Sequence, residues 1–245
     1  MKRLIQRALG QLGYEITRVK AGQATPHEAG MRPLFSLLKQ GGFTPRCIID
    51  VGANRGIWTR AAMKFFPEAH YTMVEPQERL KEYSRDLLEG KCKATWITAG
   101  VGDARGVLPL HVGRRDDSSS FAAGWGEGDS SMNVEVMTLN EIAEKHCPGP
   151  VDLVKIDAEG FDLKVLAGAS ELLAKTDVFL VEAVIFGTGQ ENTLAEVVRT
   201  MSEAGYRSVE ITDVNRSPKH GVAWLCELAF LRNGCHWLDG AGSYE

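Results

Sequence analysis

RCIIDVGANRG, residues 46–56, joins an apolar run to a glycine-bearing loop. Residues 46–51 read as a buried strand, Gly52 to Gly56 as a loop, and Ile57 to Phe66 as a helix closed by Pro67. A strand that turns through glycines into a helix lets backbone approach a ligand closely, and the helix start offers free N–H groups. The next strand, residues 70–75, ends in Glu75-Pro76, 23 residues after Gly52. An acid at that place is where a Rossmann-like domain chelates ribose hydroxyls. Loop and acid together point to an adenosine-containing cofactor.

Working outward, strands and helices alternate. Residues 33–40 form a helix stopped by Gly41-Gly42, after a linker at 21–30. Pro76 opens a helix that runs to about Leu88, and residues 94–101 are a third strand. Shorter strands follow at 106–112 and 133–138, separated by a long polar loop from Gly113 to Ser131, and then a helix from Leu139 to His146. Residues 151–157 are the next main strand, Phe161–Lys175 a helix, and 178–186 a strand. Asn192 caps a helix through Ala204, and strands at 206–213 and 223–232 end the pattern. Asn215–Gly221 is too short for a crossover helix, so those last strands pair antiparallel. The fold expected is α/β: a doubly wound, mostly parallel sheet with an antiparallel last strand. Residues 46–245 form this domain, and residues 1–45 form a short N-terminal helical extension.

The bulk properties narrow the partners. A net charge of −4 and a pI near 5.9 leave no electrostatic footprint for nucleic acid. Five widely spaced cysteines with no CxxC pair read as reduced thiols, which fits a cytoplasmic setting. No stretch approaches the ~18 apolar residues of a membrane span. Leu4, Ile5, Ala8, Leu9 and Leu12 fall at helical spacing opposite Lys2, Arg3 and Arg7. This helix either packs on the domain, the favoured reading, or gives residues 1–20 a peripheral contact with an anionic membrane. Phe121 and Trp125 in the long loop suggest a lid that stacks on an acceptor, or rings that anchor the loop.

The loop also discriminates between cofactors. A dinucleotide loop wants G-x-G-x-x-G, but Ala53-Asn54 stands where the middle glycine belongs. Asp50, ahead of Gly52, is a poor neighbour for a pyrophosphate and a sensible one for an amino-acid ammonium. S-adenosylmethionine (SAM) is therefore favoured over NAD. Asp103, after the third strand, either accepts from an adenine amino group or makes a tight turn with Gly106. In residues 152–160, Lys155, Asp157 and Glu159 fall on one side of an extended chain. Ionisable groups at the carboxyl end of a central strand are costly unless paired, and ligands bind there. Glu182 is a second acid in an apolar strand facing the same crevice. Asp157 is the first candidate for a general base, with Glu159 and Glu182 next; Lys155 would orient a carboxylate or stabilise an alkoxide. His111 and His146 are weaker candidates. No metal-binding motif stands out, although Asp157 with Glu182 could hold Mg²⁺ through oxygens.

DVGANRG (50–56), VEP (74–76), AGVGD (99–103), VKIDAEG (154–160) with a following LAGA (166–169), and VFLVE (178–182) occur in that order. The set resembles the FkbM-type SAM-dependent methyltransferases of the class I Rossmann-like superfamily. Ser118-Ser119-Ser120 resembles that family's serine pair. The resemblance implies that Asp50, Gly52, Asn54 and Gly56 surround the methionine part of SAM. It places Glu75 on the ribose, Asp103 on the adenine side, and Asp157 and Glu159 beside the methyl group. The acceptors it implies are hydroxyls of sugars, glycans or natural products. The rivals are a nicotinamide-dependent oxidoreductase and a non-catalytic SAM-binding protein.

Overall fold

The structure is a computed structural model that describes residues 26–90, 93–113, 119–122, 130–187, 189–217 and 219–239. The amphipathic run at 1–20, Ser118 and Trp125 lie outside the described residues.

The main elements are α1 (Pro26–Gln40), β1 (Cys47–Val51), α2 (Ile57–Met63), β2 (His70–Val74), a 3-10 turn (Glu78–Ser84), α3 (Arg85–Leu88) and β3 (Ala94–Ile97). They continue with β4 (Gly100–Gly102), β5 (Gly106–Val112), β6 (Ser130–Thr138), α4 (Leu139–His146), β7 (Val151–Ile156) and α5 (Asp162–Ala167). The last are β8 (Val178–Val184), α6 (Leu194–Glu203), β9 (Tyr206–Arg216) and β10 (Ala223–Arg232).

Seven strands form the main sheet in the order β3-β2-β1-β7-β8-β10-β9. The central pairs are parallel, and β10 is antiparallel to both neighbours. This is the doubly wound α/β sheet expected, with the last strand reversed. Each face carries its own core. One is built with Leu139, Ile142, Val165, Leu166, Val197 and Met201 from α4, α5 and α6. On the other face lie Met31, Leu34, Phe35 and Leu38 of α1 and Trp58, Ala61 and Ala62 of α2. The spacing of the α1 residues puts them on one helical stripe, and each fully buried side chain of this size stabilises the fold by ~1.5–3 kcal/mol. The strand order reverses between β1 and β7, so the crevice opens at their carboxyl ends. No helix among the described residues is long and apolar enough to cross a membrane.

Several expected boundaries move, each for a local reason. The third strand is interrupted: β3 ends at Ile97, and β4 belongs to a second, three-stranded sheet of order β4-β6-β5. Gly100 and Gly102 allow that departure, because a Cβ on Gly100 would sit 2.5 Å from the Phe121 ring. The helix expected at 161–175 lasts only from Asp162 to Ala167. Gly168 ends it where a Cβ would lie 2.1 Å from the Gly102 carbonyl oxygen, so the chain must pass close under β4. After Pro76 the chain forms a 3-10 turn and one short α-turn instead of a continuous helix. Thr193, not Asn192, caps α6 by accepting from the Glu196 N–H. Finally, α1 begins at Pro26, inside the stretch read as linker, and carries Pro33 on its exposed face.

Gly30 seats α1 on the sheet. A Cβ there would fall 1.8 Å from the Thr212 carbonyl oxygen of β9. Gly30→Ala must push the helix off that strand, and overpacking of this kind costs ~1–3 kcal/mol. Urea unfolding should show that loss as a lower midpoint with an unchanged slope; an unchanged midpoint would mean that the contact is soft.

Candidate active site at the carboxyl edge

The glycine loop is fixed from beneath by charge. Asp50, near the end of β1, is fully buried, and Thr59 of α2 donates to its Oδ2 at 2.5 Å. The Lys155 ammonium of β7 lies 3.4 Å from Asp50 Oδ1 and 3.1 Å from Asp157 Oδ2. It also reaches the carbonyl oxygens of Val51 and Gly52, each at 3.4 Å. Lys155 is only 3% exposed. Burial opposes its charge, but Asp157, Asp50 and Glu227 outweigh that and raise its pKa above the usual lysine value. Burial likewise pushes the Asp50 carboxyl up, with Lys155 and Thr59 opposing.

Close approach explains the glycines. Gly52 has φ 72°, and a Cβ on it would sit 1.8 Å from the Asp157 carbonyl oxygen. Gly56, at φ 70°, would drive a Cβ to 2.7 Å from Ser84 Oγ. Asn54 adopts φ 46°, a left-handed conformation that asparagine tolerates better than most residues. The Asn54 N–H donates to Glu75 Oε2, and the Gln77 N–H donates to Glu75 Oε1, both at 3.0 Å. Glu75 thereby ties the loop after β1 to the end of β2. Burial raises its pKa to about 6 against those two hydrogen bonds.

Beyond β7 the chain turns sharply, with Glu159 at φ 50° and Gly160 at φ 87°. Asp162, fully buried, holds the turn: its carboxylate accepts from the N–H groups of Ala158 at 3.0 Å and Gly160 at 3.2 Å. Asn192 links that carboxylate to β8 by donating to Asp162 Oδ2 at 3.0 Å and to the Glu182 carbonyl at 2.9 Å. Burial raises the Asp162 pKa to about 7. From outside, the Ser120 hydroxyl donates to the Glu159 carbonyl at 2.5 Å. Phe121, next to it, packs on Phe161 with ring centroids 5.5 Å apart, the contact expected of a loop anchor.

The sheet thus brings Asp50, Gly52, Asn54, Gly56, Glu75, Lys155, Asp157 and Glu159 around one crevice. Glu182 lies on β8 beside them, and burial together with Asp157, Glu159 and Asp162 pushes its carboxyl well above the usual range. Asp103 sits apart, half-exposed and 3.1 Å from Lys164. His111 pairs with Ser120 through backbone, and His146 ends α4. Among the described residues, no group of three or more His, Cys, Asp or Glu could hold a metal ion.

A family model described as the methyltransferase FkbM domain matches residues 50–208. The chain belongs to the FkbM methyltransferase family. A curated relative, 2-O-methyltransferase NoeI of Sinorhizobium fredii, is 23% identical over 160 residues, which are 59% of this chain and 65% of that protein. The chain thus spans less than two thirds of the relative's length. Among solved structures, magnesium protoporphyrin IX methyltransferase from Synechocystis with bound SAM aligns at TM-score 0.48 and 12% identity, covering 84% of this chain and 80% of that one. An rRNA methylase from Streptococcus thermophilus aligns at TM-score 0.49 and 8% identity, covering 83% and 96%.

In this FkbM-family chain, sequence reasoning passed over Asp162, Asn192, Thr59 and Glu227. Glu227 was open to the argument that found Glu182, a lone acid inside an apolar strand (AWLCELAFL, residues 223–231). Thr59 and Asn192 carry no such signal, because their partners are distant in sequence.

Proposed function

We propose that the chain is a SAM-dependent methyltransferase that acts on a hydroxyl of a small-molecule or glycan acceptor. The observation that carries this reading is the seating of Gly52 against the Asp157 carbonyl. It puts the cofactor loop and the acid-bearing end of β7 at one crevice. The absent Cβ atoms of Gly52 and Gly56 fit a loop that wraps closely on a ligand, and Glu75 stands at the strand end suited to ribose hydroxyls. Gly52, Asn54 and Gly56 would hold the methionine part and Glu75 the ribose, while Asp103, apart from the crevice and paired with Lys164, stands outside the cofactor site. Asp50, wholly buried, braces the loop and Lys155 from below.

SAM supplies a methyl group already activated by its sulfonium. The chain must orient the acceptor hydroxyl and take its proton. Asp157, with 37% of its side chain exposed and Lys155 beside it, would accept that proton at a carboxylate oxygen. Glu159 and Glu182 border the same space. The 2-O-methyltransferase activity named for the relative supports oxygen as the atom methylated.

Calorimetry with S-adenosylhomocysteine and with NADH tests the cofactor. Micromolar binding of the first and none of the second is expected. Glu75→Ala removes a charge-assisted partner worth ~1.5–3 kcal/mol, so affinity should fall at least ~10-fold. The same variant should stay folded by circular dichroism. Undiminished affinity would remove Glu75 from the cofactor site, and tight NADH binding would overturn the reading altogether.

A further inference from the structure

We propose that Cys47 and Cys147 are a modification site: hydrogen peroxide oxidises them to a reversible disulfide, which clamps the end of α4 to β1. The modification stands apart from the methyl-transfer reading and does not rest on it.

The sheet brings together two cysteines far apart in sequence. Cys47 opens β1 and is wholly buried, while Cys147 caps the end of α4 and is half-buried. Both are free thiols. Cys147 packs on the core cluster that contains Cys47 together with Leu139 and Ile142 of α4. The strand register explains the meeting. Cys47 pairs with His70 and Ile49 with Thr72, so Cys47 and Thr72 share the sheet face that α4 covers. Thr72 Oγ1 lies 3.5 Å from Cys147 Sγ. The Cys47 thiol is in hydrogen-bond contact with both Cys147 and Thr72. On its other side Cys47 pairs with Val151, at the start of the strand that follows Cys147. Three side chains from β1, β2 and α4 thus converge on one point, and two of them are oxidisable.

The pair also has a division of labour. Hydrogen bonding from Cys47, helped by Thr72, lowers the Cys147 pKa against the opposing effect of burial. Cys47 is pushed the other way, by Cys147 first and by burial next. The more acidic and more accessible thiol is the one that attacks. The Cys147 thiolate takes one oxygen of hydrogen peroxide, the O–O bond breaks, and the departing hydroxide picks up a proton to leave as water. Cys147 is then a sulfenic acid. The Cys47 sulfur displaces its hydroxyl, the S–O bond breaks as the S–S bond forms, and the Cys47 proton leaves with that hydroxyl as a second water. Two thiols have lost two electrons and two protons, and one peroxide has become two waters.

The bond closes a long loop of chain, which restricts the unfolded state. It lies at the amino edge of the sheet, and β1 climbs ~13 Å from Cys47 before it reaches the cofactor loop. The clamp therefore acts on stability and leaves the crevice as it is.

The test treats the folded full chain with hydrogen peroxide, blocks remaining thiols and maps peptides by mass spectrometry. A Cys47–Cys147 linked peptide that dithiothreitol abolishes is expected, with the buried Cys226 and Cys235 unlinked. The oxidised chain should unfold at least ~5 °C higher, and dithiothreitol should return it to the starting midpoint. Affinity for S-adenosylhomocysteine should be the same before and after oxidation. Cys47→Ala should leave Cys147 as a sulfenic acid that dimedone traps. Cys147→Ser, at the half-buried position, should abolish oxidation at Cys47 and so keeps the test open if Cys47→Ala fails to fold. No linked peptide in the folded chain, a link that forms only in urea, Cys147 found only as sulfinic acid, or a link that leaves the midpoint unchanged would overturn the proposal.

Discussion

Asp157→Asn is expected to lower kcat by ~10²–10⁴-fold on any acceptor the unmutated chain methylates, the usual contribution of a general base. The exchange keeps the size and most of the hydrogen bonding of the side chain while removing its capacity to take a proton. Affinity for S-adenosylhomocysteine should change little, because Asp157 faces the loop through its backbone carbonyl, which the substitution leaves in place. A KM that rises with kcat unchanged would reassign Asp157 to acceptor binding. If the carboxylate instead serves a metal, unmutated activity would vanish with EDTA and return with Mg²⁺. Near-normal turnover in Asp157→Asn, with or without chelator, would exclude both roles and turn attention to Glu182.

Lys155→Met should be the most damaging single change to stability. The lysine is a buried cation between Asp50 and Asp157, and its loss strands the wholly buried Asp50 carboxylate. Breaking a buried pair from one side costs ~3–5 kcal/mol, much of a domain's net stability. Removing both charges, in Asp50→Asn with Lys155→Met, should recover a large part of it. Denaturant titration of both variants decides the matter: a single-mutant loss below ~1 kcal/mol would show that Asp50 is relieved by some other route, such as taking up a proton.

How far the sequence foretells this structure depends on the range of the interactions involved. The β1 loop and the acids of β7 were readable because local pattern and strand periodicity fix them. Glu75 was legible as an acid after a strand, but not its grip on the Asn54 N–H, which depends on how the loop folds back. Helix lengths were missed where packing overrode propensity. Between Phe161 and Lys175 the apolar spacing suits one helix, yet contact with the Gly102 carbonyl ends it at Gly168. The departure of Gly100–Gly102 into a second sheet answers to Phe121 and Val136, both distant in sequence. Residues 21–30 read as linker, yet α1 begins within them at Pro26, because Met31, Leu34, Phe35 and Leu38 pack as one stripe on the sheet.

The direction of α1 has a practical side. Its last turn leads to Gly41, which packs on Trp237, and Trp237 donates to Asp177 just before β8. Its opening turns lie by Thr212, beside Glu227. A bulky group attached at the first described turn of α1 would therefore crowd the mouth of the crevice, whereas one attached beside Trp237 would leave it clear. An immobilised or labelled preparation meant to bind acceptors should be held by its Trp237 side.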